Sequence, residues 1–105
     1  MESKMIKLQG WINITHPDEI KETFEVALKI SGFDVLGFIE HHFKPFGYTA
    51  LYLLSESHFA LHTFPENGNT YIDLSSCVEK QYNNFISILE ENGIIISDKP
   101  GLVIK

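Results

Sequence analysis

The sequence predicts an α+β fold: a two-layer α/β sandwich with a mainly antiparallel sheet and two helices on one face, in the order β-α-β-β-β-α-β. Three observations lead there. Strand-like runs are grouped together and separated by two helical segments, the pattern of an α+β domain rather than of a regularly alternating α/β one. Each helical segment carries a single apolar stripe, so both can cover the same sheet face. At 105 residues the chain is long enough for one core, which sets the expectation of a single domain over residues 1–105.

Taken in order, Met5 to Ile14 has apolar positions at alternating steps, Ile6 and Leu8, then Trp11 and Ile12, and reads as a strand bent at Gly10. Thr15-His16-Pro17-Asp18-Glu19 is a helix start, with a capping hydroxyl or imidazole, proline in the first turn and two acids near the positive end of the helix dipole. Ile20, Phe24, Ala27 and Leu28 recur at helical spacing and Ser31-Gly32 supplies the stop, giving a helix over Pro17 to Ile30. Phe33 to Phe43 reads as a strand, with Lys44-Pro45-Phe46-Gly47 as its turn. Tyr48 to Glu56 and His58 to Phe64 are two further strand runs joined by a tight connection with Glu56-Ser57 at its tip. Pro65 to Asn69 is a polar turn, and Thr70 to Ser76 resumes strand character. Tyr82, Phe85, Ile86 and Leu89 form the stripe of a second helix, Glu79 to Glu91, closed by Asn92-Gly93. Ile94 to Ser97 is expected as a last strand, and Asp98-Lys99-Pro100-Gly101 as a turn before a short tail.

Composition narrows the function. Hydrophobic residues make up 44% and charged residues 21%, ordinary for a soluble globular protein. All eight basic residues are lysine and the formal net charge is −6, which leaves little for a phosphate backbone to bind, so nucleic acid is excluded as a partner. Met1-Glu2-Ser3-Lys4 runs straight into the first alternating pattern without the apolar core of a signal peptide, and no apolar run reaches membrane-spanning length. A cytoplasmic protein without a membrane partner is expected. The lone cysteine, Cys77, fits a reducing compartment and stays free for chemistry.

The densest chemistry lies in LSESHFALHTFPE, Leu54 to Glu66. A serine hydroxyl can attack the carbonyl carbon of the residue before it, converting the peptide bond to an ester that breaks by β-elimination. The dehydroalanine left behind hydrolyses to a pyruvoyl group, a ketone that condenses with amines and withdraws electrons from the neighbouring bond. Glu56-Ser57 is such a bond, set between strands where backbone strain can be stored. In the strand that follows, Phe59, Leu61 and Thr63 alternate with His58, Ala60, His62, Phe64 and Glu66, which places the chemical residues on one face if Pro65 does not break the alternation. His58 and His62 would be metal-competent on a helix, but on a strand and without a third ligand at recognisable spacing they are not, and His41-His42 adds none; no metal is expected.

Glu56-Ser57-His58, His62-Thr63, Phe64-Pro65-Glu66, Asp73 and Cys77, with His42-Phe43 and Pro45-x-Gly47 upstream, resemble the pattern of the pyruvoyl-dependent S-adenosylmethionine decarboxylases of bacterial and archaeal type, from about Gly32 to Cys77. The resemblance implies self-cleavage between Glu56 and Ser57, with a covalent pyruvoyl cofactor derived from Ser57. It implies that His62 moves protons during processing, that Thr49, where the family usually has serine, assists, and that Cys77 reprotonates the product. Phe43, Phe64 and Glu66 match positions that sandwich adenine between aromatics and hold the ribose hydroxyls. Ser75-Ser76-Cys77-Val78 departs from the usual Phe-Thr-Cys-Gly. The implied activity is decarboxylation of S-adenosylmethionine to supply the aminopropyl donor of spermidine synthesis, by a homodimer of processed subunits. Two alternatives stand beside it: arginine or ornithine as substrate on the same fold, and an uncleaved homologue acting as a binding or regulatory subunit.

Overall fold

A computed structural model describes residues 5–100; the leading Met1-Glu2-Ser3-Lys4 and the tail from Gly101 lie outside the described residues. The elements are β1 (Ile6–Ile12), α1 (Pro17–Ser31), β2 (Val35–His42), β3 (Tyr48–Leu54), β4 (Ser57–Phe64), a 3-10 turn (Pro65–Asn67), β5 (Asn69–Ser76) and α2 (Glu79–Glu91). The five strands form one sheet in the order β1-β5-β4-β3-β2, every neighbouring pair antiparallel. The α+β sandwich is as expected. Four strands lie between the helices, the runs read from Phe33, Tyr48, His58 and Thr70, one more than the order β-α-β-β-β-α-β allows; the last, Asn69–Ser76, pairs with both β4 and β1.

The core lies between the sheet and the helices. Ile20, Phe24, Ala27 and Leu28 of α1 and Phe85 and Leu89 of α2 are buried against Ile12, Tyr48, Ala50, Tyr52, Leu54, Phe59, Leu61, Ile72 and Leu74. Phe59 stands at the centre, its ring 5.0 Å from Phe24 and 5.6 Å from Phe85. Each such ring or aliphatic side chain contributes about 1.5–3 kcal/mol by leaving water. The parity is that of a half-covered sheet: residues one step along from these, such as Leu51 and Leu53, point to the opposite face and are exposed.

Several local expectations are corrected. α1 has no side-chain cap; His16 is the N-cap in extended conformation, and its carbonyl accepts from Ile20. Gly32 does end the helix, with φ 95, letting the Phe33 N–H reach the Leu28 carbonyl at 3.0 Å. β1 carries no bulge at Gly10. Its ladder to β5 runs unbroken from Ile6 to Ile12, and Gly10 serves close approach instead, since a Cβ there would stand 2.3 Å from Cγ2 of Ile96. The segment that presses on Gly10 was expected as a strand over Ile94 to Ser97. It makes one bridge, in which Trp11 and Ser97 exchange N–H···O bonds of 2.8 and 2.9 Å.

Candidate active site

The β3–β4 hairpin turns on two residues, Ser55 and Glu56, so Ser57 is the first residue of β4 rather than the tip of the connection. Glu56 has φ 60, in the left-handed region where a Cβ crowds the following carbonyl at a cost of about 1–2 kcal/mol. Strain therefore sits on the residue whose carbonyl Ser57 would attack. The Ser57 side chain is buried, and its Oγ has no hydrogen-bond partner among the described residues. Ser57 pairs across the ladder with Ser76, and this brings Cys77, the next residue, over the turn. The Cys77 Sγ–H donates to the Glu56 carbonyl oxygen at 2.9 Å, with Met5 Sδ 3.2 Å away. Glycine is not needed after Cys77. Val78 has φ −114 and ψ 104, ordinary extended geometry, and the bend is held by Ser76 Oγ, which accepts the Val78 N–H at 3.1 Å.

A second group lies at the other end of the sheet. Thr49 and His62 are cross-strand partners on the face away from the helices, with Thr49 Oγ1 3.0 Å from His62 Nδ1. This bond fixes the ring orientation and leaves Nε2 directed elsewhere. Phe43 and Phe64 flank this end, and both are exposed. They make no ring contact with each other among the described residues: Phe43 meets His41 at 4.4 Å and Phe64 meets Trp11 at 5.6 Å. Glu66 does not continue the His58-His62-Phe64 face, because the Pro65–Asn67 turn breaks the alternation and leaves it exposed. Nearby, Phe43, His16, His42, Phe46 and Thr63 line a cavity of about 500 Å³. Tyr48 O–H donates to Glu40 at 2.6 Å behind it; that bond holds the Glu40 carboxyl below its usual range, while burial pushes the Tyr48 hydroxyl up.

The two groups do not meet within one chain. Ser57 and His62 stand five residues apart on an extended strand, roughly 17 Å, and on opposite faces of the sheet. Glu56, Ser57 and Cys77 form one cluster; Thr49 and His62, flanked by Phe43 and Phe64, form another. Among the described residues no three His, Cys, Asp or Glu side chains gather as a metal site.

Two side chains beside the second cluster were read in the sequence only as strand formers. Trp11 and Tyr71 are cross-strand partners with rings 5.2 Å apart, and Tyr71 is in turn the partner of His62, its ring stacked at 6.5 Å. Alternation within β5 puts Tyr71 and Asp73 on the face opposite Ile72 and Leu74, but strand order was needed to bring Trp11 beside them.

Residues 11–92 match the family model for S-adenosylmethionine decarboxylase. The chain belongs to the S-adenosylmethionine decarboxylase family. A protein of Prochlorococcus marinus (strain MIT 9211) named S-adenosylmethionine decarboxylase proenzyme is 43% identical over 58 residues, 55% of this chain and 48% of that protein. One of the same name from Persephonella marina is 40% identical over 68 residues, 65% of this chain and 51% of the relative. The chain thus spans about half the length of the curated relatives it matches. The crystal structure of the adenosylmethionine decarboxylase from Aquifex aeolicus superimposes with a TM-score of 0.72 at 20% identity, covering 100% of this chain and 96% of that one, and so shares the fold.

Proposed function

We propose that this chain is a self-processing, pyruvoyl-dependent decarboxylase acting on S-adenosylmethionine, supplying the aminopropyl donor for spermidine synthesis, and that residues 1–105 act as one domain. The observation that carries the reading is the convergence at one bond of a strained carbonyl, a buried serine hydroxyl without a partner, and a thiol donating to that carbonyl's oxygen. Ser57 is the nucleophile. As its Oγ adds to the Glu56 carbonyl, charge grows on the oxygen that Cys77 already contacts, so the thiol stabilises the addition where it is needed. Collapse to the ester and β-elimination release Glu56 with a free carboxylate and leave dehydroalanine at the head of residues 57–105, which water converts to the pyruvoyl group with loss of ammonia. A fit to that group is supported by the same three residues, and when present it supplies the electron sink for loss of carbon dioxide. Cys77 stands at the new terminus and returns a proton to the product carbon. That role needs a free thiol, which suits the cytoplasm.

His62 is the proton-moving base, oriented by Thr49, and it must come from elsewhere than the same chain's Ser57 cluster. A homodimer meets this demand. If two copies lay their uncovered sheet faces together about a two-fold axis, the Glu56-Ser57 turn of each, with the Cys77 thiol that lies on that face, would come to the His62 end of the other and two equivalent sites would form. Leu51 and Leu53, exposed at 44% and 58%, give that face an apolar centre. Phe43, Phe64 and Glu66 hold the substrate around the His62 end, with Phe43 at the mouth of the cavity.

Intact mass together with labelled carbon dioxide release tests the reading. Two fragments meeting between Glu56 and Ser57, and release from S-adenosylmethionine exceeding that from arginine or ornithine at equal concentration, are expected. Release from arginine or ornithine alone overturns the substrate and keeps the chemistry; a folded chain that stays intact for days overturns both.

A further inference from the structure

The chain has eight lysines and no arginine, and Lys7 is the one lysine that any of the five strands carries. It lies on the uncovered face of β1. Its cross-strand partner on β5 is Ser75, whose partner on β4 is His58, the residue after Ser57. Ser75 is only 2% exposed although no helix covers that face. The side chains around it cover it instead: Lys7 and His58 on either side, Asp73 and Cys77 two residues before and after it in the chain. Lys7 and His58 are themselves exposed. Among the described residues neither the Lys7 ammonium nor the His58 ring has an ion pair or a side-chain hydrogen bond. Met5, two residues before Lys7 on the same face, meets the Cys77 thiol at 3.2 Å and ties this end of β1 to it. The result is a shallow trough over Ser75 with free N–H donors on both rims and the thiol at one end. Its rims are two strand spacings apart, roughly 10 Å, so one small anion lies within reach of both side chains.

We propose that Lys7 and His58 receive the carboxylate of the substrate, above Ser75 and beside the Cys77 thiol. The ligand class is an α-amino acid, and the group held is the one that leaves as carbon dioxide. This deepens the decarboxylase reading and rests on it; the adenosyl end of the substrate stays with Phe43, Phe64 and Glu66. The chemistry of the trough selects an anion. An ammonium and an imidazole N–H are donors that the two oxygens of one carboxylate accept together. Asp73 does not neutralise Lys7, since its Oδ1 is buried without a partner among the described residues, and it lies at the end of the trough away from Cys77. The same charge separates substrate from product. Decarboxylation removes the group that Lys7 attracts and leaves a cation that it repels, which favours release. The pairing belongs to the bound substrate and is given up as carbon dioxide forms, so it serves binding and orientation rather than the bond-breaking step.

Processed protein is treated with borohydride, which reduces the ketone at residue 57 and prevents turnover. Equilibrium dialysis then compares S-adenosylmethionine with its decarboxylated product, which keeps the adenosyl group, the sulfonium and the amine. The wild type should bind the substrate about tenfold more tightly than the product. Lys7→Ala should remove most of that preference by weakening the substrate alone, Lys7→Arg should restore it, and His58→Ala should reduce it by about threefold. Equal binding of the two compounds by the wild type overturns the proposal, and this result needs no variant to fold. Folded Lys7→Ala protein that keeps the preference, or that loses both compounds equally, overturns it as well. Failure of the decarboxylase reading is distinct. No carbon dioxide release from S-adenosylmethionine by untreated protein overturns that reading and this proposal with it, whereas release together with equal binding overturns this proposal alone.

Discussion

The Cys77 thiol donates to the carbonyl oxygen of Glu56 at 2.9 Å, across the short gap between the end of β5 and the β3–β4 turn. That oxygen belongs to the bond Ser57 would break, and on the proposed reading the same thiol would stand beside the new terminus after cleavage. The proposed reading thus gives one side chain two successive steps.

Cys77→Ala should therefore slow the appearance of the two fragments as well as turnover by cleaved protein. Removing a donor aimed at a developing oxyanion typically costs roughly 10²–10³ in rate, and a thiol, being a weak donor, belongs at or below the lower end. Gel densitometry over time after synthesis measures it. Cleavage at the wild-type rate would confine Cys77 to the later step.

Ser57→Ala and His62→Ala should each block processing, yet co-expression of the two should restore it. The mixed dimer contains one site with Ser57 from one chain and His62 from the other, so about half of the His62→Ala chains are expected to be cut when pairing is random. Mass spectrometry distinguishes the chains. No cleavage in the mixture, with dimers present, would count against a shared site.

Replacing Glu56 by glycine removes the Cβ that makes φ 60 unfavourable. On a Ser57→Ala background, where the chain stays intact, Glu56→Gly should stabilise the fold by about 0.5–1 kcal/mol, the relief of strain being partly offset by the looser unfolded chain. Denaturant midpoints at constant slope measure this. With Ser57 present, the same change should slow cleavage, because the strain no longer favours opening of the bond.

Tyr48 and Tyr52 are buried and donate to Glu40 and Glu25, at 2.6 and 3.0 Å. Burial first, and then these bonds, push both hydroxyls above the ordinary tyrosine range. The sign follows: the folded state holds their protons more tightly than the unfolded state, so this stability is complete below about pH 10 and declines as pH rises further. Two of the four tyrosines should resist ionisation in an ultraviolet titration until the fold is lost, and Tyr52→Phe should shift the alkaline unfolding midpoint upward.

The sequence by itself determined the α+β class, both helices, the hairpins and the identity of the residues around Glu56-Ser57, because each of these rests on local periodicity, turn chemistry or a contiguous motif. Glycine at 32 could be read as a helix stop, and the structure uses it so. Gly10 could not be read correctly, since its cause is Ile96, 86 positions away in sequence and brought close only by folding. The same distinction holds for the site. Alternation put His58, His62 and Phe64 on one face, but it could not show that Ser57 opens the strand facing the other way, that Glu66 leaves the strand at Pro65, or that Cys77 reaches back to Glu56. Strand order decided the last of these, by setting β5 between β1 and β4, while the Ser55-Glu56 turn and the Pro65–Asn67 turn decided the other two. Neighbours along a strand are fixed by the chain, whereas neighbours across a sheet are fixed by which strands pair and in what register.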